Sequence, residues 1–177
     1  ISFPEFLLLV LDVCTGGEQP ASHYQPDKLI EKFDALKTHF TAGEFYEKML
    51  YYRLLLDYYT IRRDIKDGQG NYSLILKGPK DDNDKLKQYQ SMLYVSTEAF
   101  YNWLKPYLRK LEQDELQSCA EMLAFLKKED NERHGVLPAR KDLSYKASGN
   151  IRYWFWRLDY YLWEQRSTFF NEEEQKL

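Results

Sequence analysis

Apolar residues at the start of the chain recur with the three- and four-residue spacing of amphipathic α-helices. The first such pattern predicts a short, buried helix from Phe3 to Cys14. Gly16-Gly17 follows it and is expected to end the helix, because glycine readily adopts the left-handed backbone found after helix C-termini. A second amphipathic pattern covers residues 29–40 and predicts a second helix.

The middle of the chain combines a strong helix start with one segment of uncertain conformation. Thr41-Ala42-Gly43-Glu44 matches a capping box, so a third helix is predicted to begin there and to continue to about Lys66. Asp67-Gly68-Gln69-Gly70 then reads as a turn. Residues 72–76, Tyr-Ser-Leu-Ile-Leu, are consistent with either a single short strand or an irregular packed loop.

The second half of the chain again has helical periodicity. Helices are predicted from about residue 84, across 100–111 with a kink or boundary at Pro106, and across 116–126 with Asp114 as its cap. Residues 127–149 are polar and predict a loop, and a final helix with two aromatic faces is expected over residues 150–169. The predicted fold is therefore all-α, a single irregular bundle of about six or seven helices forming one domain over 1–177.

Composition supports a globular domain but gives no direct indication of its chemistry. Hydrophobic residues make up 44% of the 177 residues and charged residues 30%, which excludes wholesale disorder. The aromatic share of 16% predicts aromatic-rich helix contacts or a stacking surface. A net charge of -3 gives no overall attraction to a phosphate backbone, so any contact with nucleic acid must be local.

The cysteines and the apolar runs indicate in which cellular compartment the protein is expected. Cys14 and Cys119 lie far apart in apolar helical patterns and are expected to be buried reduced thiols, which fits a cytoplasmic protein. The longest wholly apolar run, 6–11, is shorter than the roughly 20 residues of a membrane-spanning helix, so no membrane partner is expected. The chain opens at Ile1 without an initiator Met, and we interpret it as a piece of a longer multidomain polypeptide.

No catalytic or metal-binding signature is apparent in the sequence. His23, His39 and His134 fall in or near polar loops and helix ends, and none suggests a catalytic triad. Metal-ligand spacings such as His-x-x-x-His or Cys-x-x-Cys do not occur. Residues 129–134 contain ligand types but are interpreted as a solvated charge run. We therefore predict no catalytic, cofactor-binding or metal-binding residue.

Two basic and aromatic segments remain as candidates for contact with nucleic acid. Arg53 and Asp57 stand four residues apart and are expected to form a structural ion pair. Further along, Arg62 and Arg63 either belong to the same aromatic core segment or form a phosphate-facing patch with Lys66. Arg152 and Arg157 flank a run of aromatic residues that suits either stacking on nucleic acid or core packing at helical spacing.

Four stretches together resemble the central helical region of the GmrSD-type restriction proteins. Their order and spacing cover nearly the whole chain, although none is a catalytic signature. They are Phe3-Pro4-Glu5-Phe6-Leu7-Leu8 with Lys28-Leu29-Ile30-Glu31-Lys32-Phe33; Tyr52-Arg53-Leu54-Leu55-Leu56-Asp57-Tyr58-Tyr59; Gln90-Ser91-Met92-Leu93-Tyr94-Val95-Ser96 with Trp103-Leu104; and Ile151-Arg152-Tyr153-Trp154-Phe155-Trp156-Arg157-Leu158-Asp159.

The resemblance implies a place between two enzymatic domains. Proteins of that group join an upstream ParB/sulfiredoxin-like nucleotidase to a downstream HNH nuclease, and they restrict modified or foreign DNA. The parent protein, by which we mean the longer polypeptide, would then use a nucleoside triphosphate and a divalent metal, while this piece holds no cofactor. Neither the nucleotidase motif nor the HNH motif occurs in these 177 residues, and Asp67-Gly68-Gln69-Gly70 lacks the Gln-Arg that follows in the nucleotidase motif.

Three functional interpretations follow from the sequence. The first is a non-catalytic helical connecting domain of a bacterial defence protein, with other domains of the same polypeptide as partners and DNA as a partner of the parent protein. A second is a stand-alone α-helical protein-protein interaction module, and self-association is compatible with either. The third is an uncharacterised enzyme whose Asp, Glu and Tyr groups come together only on folding.

Overall fold

The computed structural model describes residues 1–66, 70–79, 83–96, 99–135 and 151–170. These residues form mainly α-helices, with one small antiparallel sheet of two strands. The predicted helical class is therefore correct in its main feature, and the sheet adds a second strand to the expected extended segment. The elements are α1 (Phe3–Cys14), α2 (Leu29–Leu36), α3 (Ala42–Tyr59), β1 (Arg62–Ile65), β2 (Tyr72–Ile75), α4 (Asp84–Val95), α5 (Phe100–Glu112), α6 (Cys119–His134), α7 (Ile151–Glu164) and α8 (Arg166–Phe169).

Capping boxes fix the start of three helices. At α3 the Thr41 side chain accepts from the Glu44 amide at 3.2 Å and the Glu44 carboxylate accepts from the Thr41 amide at 2.6 Å, as the sequence predicts. Ser2 and Glu5 cap α1 in the same way. The prediction that Asp114 caps the sixth helix was wrong, because Ser118 forms the capping box of α6 with Glu121. Asp114 instead has a positive φ of 55° in the turn after α5.

The predicted end of the first helix is confirmed. Gly16 and Gly17 have φ values of 102° and 78°, which side chains with a Cβ rarely adopt. The Arg109 guanidinium also approaches this turn and donates from Nη1 to the Gly17 carbonyl oxygen at 3.2 Å. A Cβ on Gly17 would lie 2.7 Å from that Nη1 atom, so a larger residue would displace the Arg109 guanidinium in addition to straining the backbone.

The third helix ends earlier than its periodicity predicts. It stops at Tyr59, and residues 62–65 pair as β1 with β2, with Arg62 opposite Ile75 and Ile65 opposite Tyr72. The expectation of helix as far as Lys66 was therefore wrong, because pairing with β2 satisfies the backbone of 62–65 instead. An extended conformation at 72–76 is confirmed for Tyr72–Ile75. The predicted turn at 67–70 lies mostly outside the described residues.

The C-terminal half also differs from the prediction at two places. Helix α6 continues to His134, so the loop expected from residue 127 was wrong over 127–134, and residues 136–150 lie outside the described ranges. The final helix is broken at Gln165 into α7 and α8. Pro106 lies inside α5 without ending it.

Helix α1 lies at the centre of the core, where Leu8, Leu9, Val10 and Leu11 are fully buried. It packs against α2 and α3, while α5 contacts α3 and α6, and α4 contacts α6 and α7. Aromatic rings from several of these helices fill the interior, among them Tyr52, Tyr107 and Tyr153. None of the described helices has both the length and the apolar character needed to cross a bilayer.

Candidate functional site

The outer side of α3 carries an exposed row of apolar side chains. Its members are four residues apart and are 41–66% exposed: Tyr46, Leu50, Leu54 and Tyr58. On the opposite side of the same helix, Phe45, Tyr52, Leu55 and Leu56 are buried in the core. We call the exposed row the α3 stripe. A helix that is apolar on both sides is normally covered on both, which makes this row a candidate contact surface.

Helix α3 is held against α5 by a polar contact on the side of α3 opposite to the stripe. The Tyr52 hydroxyl donates to Glu112 Oε2 at 2.7 Å, and Lys48 forms an ion pair with the other carboxylate oxygen. Burial, followed by the hydrogen bond to Glu112, raises the pKa of Tyr52 above its usual range, so its hydroxyl remains a donor. Glu112 therefore fixes the orientation of α3 and of the row that it exposes.

Arg53 and Asp57 flank the stripe as an ion pair. Their side chains are joined by two contacts of 2.9 Å, one from Nε to Oδ2 and one from Nη2 to Oδ1. The Arg53 side chain is 61% exposed and that of Asp57 is 35% exposed. Exposed pairs of this kind contribute about 0.2–1 kcal/mol, so the pair is a minor source of stability.

Arg62 and Arg63 lie on β1 and not on a helix, which changes how they can act together. Successive residues of a strand point to opposite faces of the sheet, so the two side chains leave β1 in different directions. Arg63 lies over the ring of Tyr72 at 4.7 Å and near that of Tyr94 at 5.6 Å. Lys66, the third member of the predicted patch, is 3.3 Å from Asp64 Oδ2. Both arginines line a cavity of about 370 Å³ at the end of α3.

The two arginines of α7 have different surroundings. Arg152 is exposed, and within the described residues it has no ion-pair partner. The Arg157 guanidinium donates from Nη1 to the Tyr153 hydroxyl at 3.0 Å and from Nη2 to the Asn131 amide oxygen, and it lies over Trp154. Arg157 is thus engaged within the domain, whereas Arg152 is exposed.

A buried carboxylate, Asp130, joins three helices. Its Oδ2 atom accepts from the Tyr89 hydroxyl of α4 and from the Tyr153 hydroxyl of α7, both at 2.7 Å. Arg157 Nε is 3.9 Å from the same oxygen, and His134 Nε2 is 3.9 Å from Oδ1. Burial and the neighbouring negative charge raise the pKa of both tyrosines. The interpretation of 129–134 as a solvated run was therefore wrong for Asp130, which is fully buried.

A second buried carboxylate, Asp12, ties α1 to the segment after it and to α5. The Tyr24 hydroxyl and Lys105 Nζ both contact Oδ2, the latter at 3.0 Å, and the Gln19 amide donates to Oδ1 at 2.8 Å. Asp12 is fully buried and the Lys105 side chain is 17% exposed. Desolvation, followed by the hydrogen bond to Asp12, raises the pKa of Tyr24.

His23 is buried, although the sequence placed it in a polar loop. Its Nε2 atom is 2.9 Å from the Leu8 carbonyl oxygen. Because that oxygen only accepts, Nε2 must carry the proton. Burial lowers the pKa of His23, since a charged ring would be poorly solvated there. The ring is a neutral structural contact that anchors the segment after α1.

Both cysteines are free thiols, with Cys119 buried and Cys14 half-buried, and burial raises the pKa of Cys14. Within the described residues, no group of three His, Cys, Asp or Glu side chains is arranged to hold a metal ion.

Two signals in the sequence could have identified the buried carboxylates. Asp12 is the only charged residue between Glu5 and Glu18, and it interrupts the apolar run that makes up the rest of α1 after Glu5. Asp130 follows Cys119, Met122 and Leu126 at three- and four-residue steps and thus continues the buried side of α6. In both helices the burial of the carboxylate could be predicted from its position on the apolar side of the helix. The number of charged residues near it in sequence did not predict its burial.

Comparison with known proteins identifies no relative. No protein-family model, curated protein or solved structure matches the chain.

Proposed function

We propose that the chain is a helical connecting domain of a bacterial DNA-restriction protein. In this proposal it links an upstream nucleotidase domain to a downstream HNH nuclease, and it positions these domains without catalysing a reaction itself. The observation that carries the proposal is the α3 stripe, because an exposed row of large apolar side chains on a long helix is suited to contact with another domain. The resemblance of the four sequence stretches supplies the identity of the neighbours.

The interior of the domain supports a mechanical role. Three carboxylates join elements that are distant in sequence. Asp12 binds Lys105, Asp130 binds Tyr89 and Tyr153, and Glu112 binds Tyr52. Such contacts keep packed helices in one arrangement, so that a force applied to one helix moves its neighbours together. The α3 stripe is attached to this framework through the contact between Tyr52 and Glu112.

The remaining parts of the proposal concern the parent protein. It would be cytoplasmic, would use a nucleoside triphosphate and a divalent metal in its other domains, and would bind DNA. Among the candidate contacts to nucleic acid, Arg62, Arg63 and Arg152 are exposed and suited to phosphate, whereas Arg157 is held by Asn131 and Tyr153. We retain Arg62 and Arg63 as the proposed contacts to DNA.

The proposal is tested by assaying the isolated 177-residue chain beside the parent protein. We expect the isolated chain to hydrolyse no nucleotide and to cut no DNA in the presence of Mg²⁺ or Mn²⁺, whereas the parent protein does both. Metal-dependent cleavage by the isolated chain would refute the proposal. A parent reading frame without a nucleotidase motif upstream and an HNH motif downstream would refute the assignment of its neighbours.

The same preparation tests the DNA contacts. Replacing Arg62 and Arg63 by Glu in the parent protein should weaken DNA binding and reduce the slope of log K against log salt by about one for each phosphate that is no longer neutralised. Lys128→Glu is the matched control, because Lys128 is also exposed, lies on α6 and is no proposed contact. An unchanged salt slope in the double variant would discard these two residues as contacts.

A second candidate function is a stand-alone protein-protein interaction module. It is favoured by the exposed apolar side chains of α7, where Phe155 is 59% and Leu158 is 52% exposed. Native chain ends close to Ile1 and Leu177 would select this alternative, because no neighbouring domain would then remain to cover the α3 stripe.

A further inference from the structure

The outward side of α7 carries a pattern used by paired helices. Ile151, Phe155, Leu158 and Leu162 follow one another at steps of four, three and four residues. This is the spacing of the two core positions in a coiled-coil heptad. The opposite side of the helix, at Tyr153 and Tyr160, is buried against the rest of the domain. Helix α7 therefore uses one side for its own fold and presents a second apolar side to the exterior.

Phe155 and Leu158 of this row are 59% and 52% exposed, while Ile151 and Leu162 are half-buried. The exposed apolar surface extends beyond the row. A groove of about 620 Å³ runs beside it, lined by Trp154, Tyr161 and Gly135 among others. Tyr161 is in ring contact with Phe169 of α8 at 6.2 Å, and Phe169 and Phe170 are exposed. A partner lying along α7 would thus meet apolar surface on the helix face and along one flank.

The other flank of this face carries one charge of each sign. Arg152 and Asp159 are seven residues apart, so they lie on the same side of the helix, two turns from each other. Both side chains are exposed, and within the described ranges neither has an ion-pair partner. Equal and opposite charges on one flank are self-complementary when two copies of the helix meet in antiparallel orientation.

The geometry of a two-fold axis explains this complementarity. An axis perpendicular to two antiparallel helices brings the same flank of each helix together. One register pairs Ile151 with Leu162 of the second copy and Phe155 with Leu158 of the second copy. In this register Arg152 and Asp159 of the second copy differ by about 3 Å in their position along the helix axes. The symmetry repeats this contact, which gives two ion pairs. A parallel arrangement would instead place Arg152 against the flank that carries Trp154 and Tyr161.

We propose that α7 is a self-association surface, on which a second copy of this chain docks its own α7 in antiparallel orientation. The charges favour a second copy over an unrelated helix. In an antiparallel pair, Arg152 and Asp159 of one copy face Asp159 and Arg152 of the other, so both charges gain a partner of opposite sign. This proposal goes beyond the connecting role and is independent of the α3 stripe.

The surface is small for a protein-protein interface, and small interfaces are typical of transient complexes. Stable interfaces bury about 1,200–2,000 Å² in total, and a helix the length of α7 spans only about 21 Å. One such helix from each copy, with the aromatic residues of α8, lies near the lower end of that range. We therefore expect a reversible dimer with a Kd on the order of 10 µM.

Sedimentation velocity of the isolated chain between about 1 and 200 µM tests this surface. We expect the wild-type chain to change from monomer to dimer, and Leu158→Arg to remain monomeric throughout. Leu54→Arg is the matched control, since Leu54 is 66% exposed on the α3 stripe and should leave the dimer unchanged. Circular dichroism checks that each variant folds, as expected for substitutions at exposed positions.

A charge exchange tests the antiparallel orientation. Arg152→Asp should raise the dimer Kd by about tenfold, because it creates two repulsive contacts, and adding Asp159→Arg should restore it to within about threefold of wild type. Three results would overturn the proposal: a wild-type chain that is monomeric at the highest concentration, a dimer disrupted by Leu54→Arg but not by Leu158→Arg, or an exchanged pair that fails to restore affinity.

Discussion

Asp130→Ala is expected to lower the free energy of unfolding by about 3–5 kcal/mol, the range found when one partner of a buried charged contact is removed. The substitution leaves the hydroxyls of Tyr89 and Tyr153 without their acceptor, and it leaves the Arg157 guanidinium without the nearby negative charge. A shortened side chain also leaves a void between α4, α6 and α7. Urea unfolding followed by circular dichroism measures the decrease in stability.

Glu132→Ala is the matched control for this prediction. Glu132 lies two residues further along α6, its side chain is 61% exposed, and its contact with Lys128 is 3.8 Å long. We expect its removal to change stability by less than about 0.5 kcal/mol. Equal effects of the two substitutions would show that Asp130 does not join the three helices in solution.

Asp12→Asn should cost about 2–4 kcal/mol, although it changes the side-chain volume very little. The Lys105 ammonium, only 17% exposed, loses its counter-ion. The new amide nitrogen must also face the Lys105 ammonium or the Gln19 backbone amide, both of which are donors. The measurement is again the free energy of unfolding, at neutral pH and moderate salt.

The ion pair that the sequence did predict provides the comparison. Asp57→Asn removes the same charge from an exposed pair with Arg53, and we expect it to cost at most about 1 kcal/mol. If Asp57→Asn proved as costly as Asp12→Asn, burial would not be what distinguishes the two carboxylates. The pair is informative because both substitutions are chemically identical and both carboxylates lie on helices.

Local sequence signals predicted most helices and their starts. The capping box at Thr41 and Glu44 could be identified from the sequence because its hydrogen bonds join residues three positions apart. The same holds for Gly16 and Gly17, whose backbone conformation ends α1. These features require no knowledge of what packs against the helix.

Features that depend on distant residues could not be predicted in this way. Residues 62–65 continue the helical spacing of α3, yet they pair with a strand ten residues further along the chain. Tertiary pairing therefore overrode the local pattern. The position of Arg157 likewise depends on Asn131 of another helix, so that a side chain predicted as a candidate contact to nucleic acid is held within the domain.

The two exposed apolar surfaces have separate expected roles. The α3 stripe is assigned to a neighbouring domain, whereas the outward side of α7 is assigned to a second copy of the chain. They lie on different helices, so Leu54→Arg and Leu158→Arg separate the two roles. A parent protein that dimerises through α7 would carry two nucleotidase and two nuclease domains around one pair of helices.

Hydroxyl-radical labelling of the α3 stripe, in the isolated chain and in the parent protein, tests the connecting role most directly. If a neighbouring domain covers the stripe, labelling of Tyr46, Leu50, Leu54 and Tyr58 should fall by at least about threefold in the parent protein, because the centre of an interface excludes water. Ile30, which is 74% exposed on α2, should be labelled equally in both and serves as the internal control. Equal labelling of the stripe in the two proteins would contradict the connecting role.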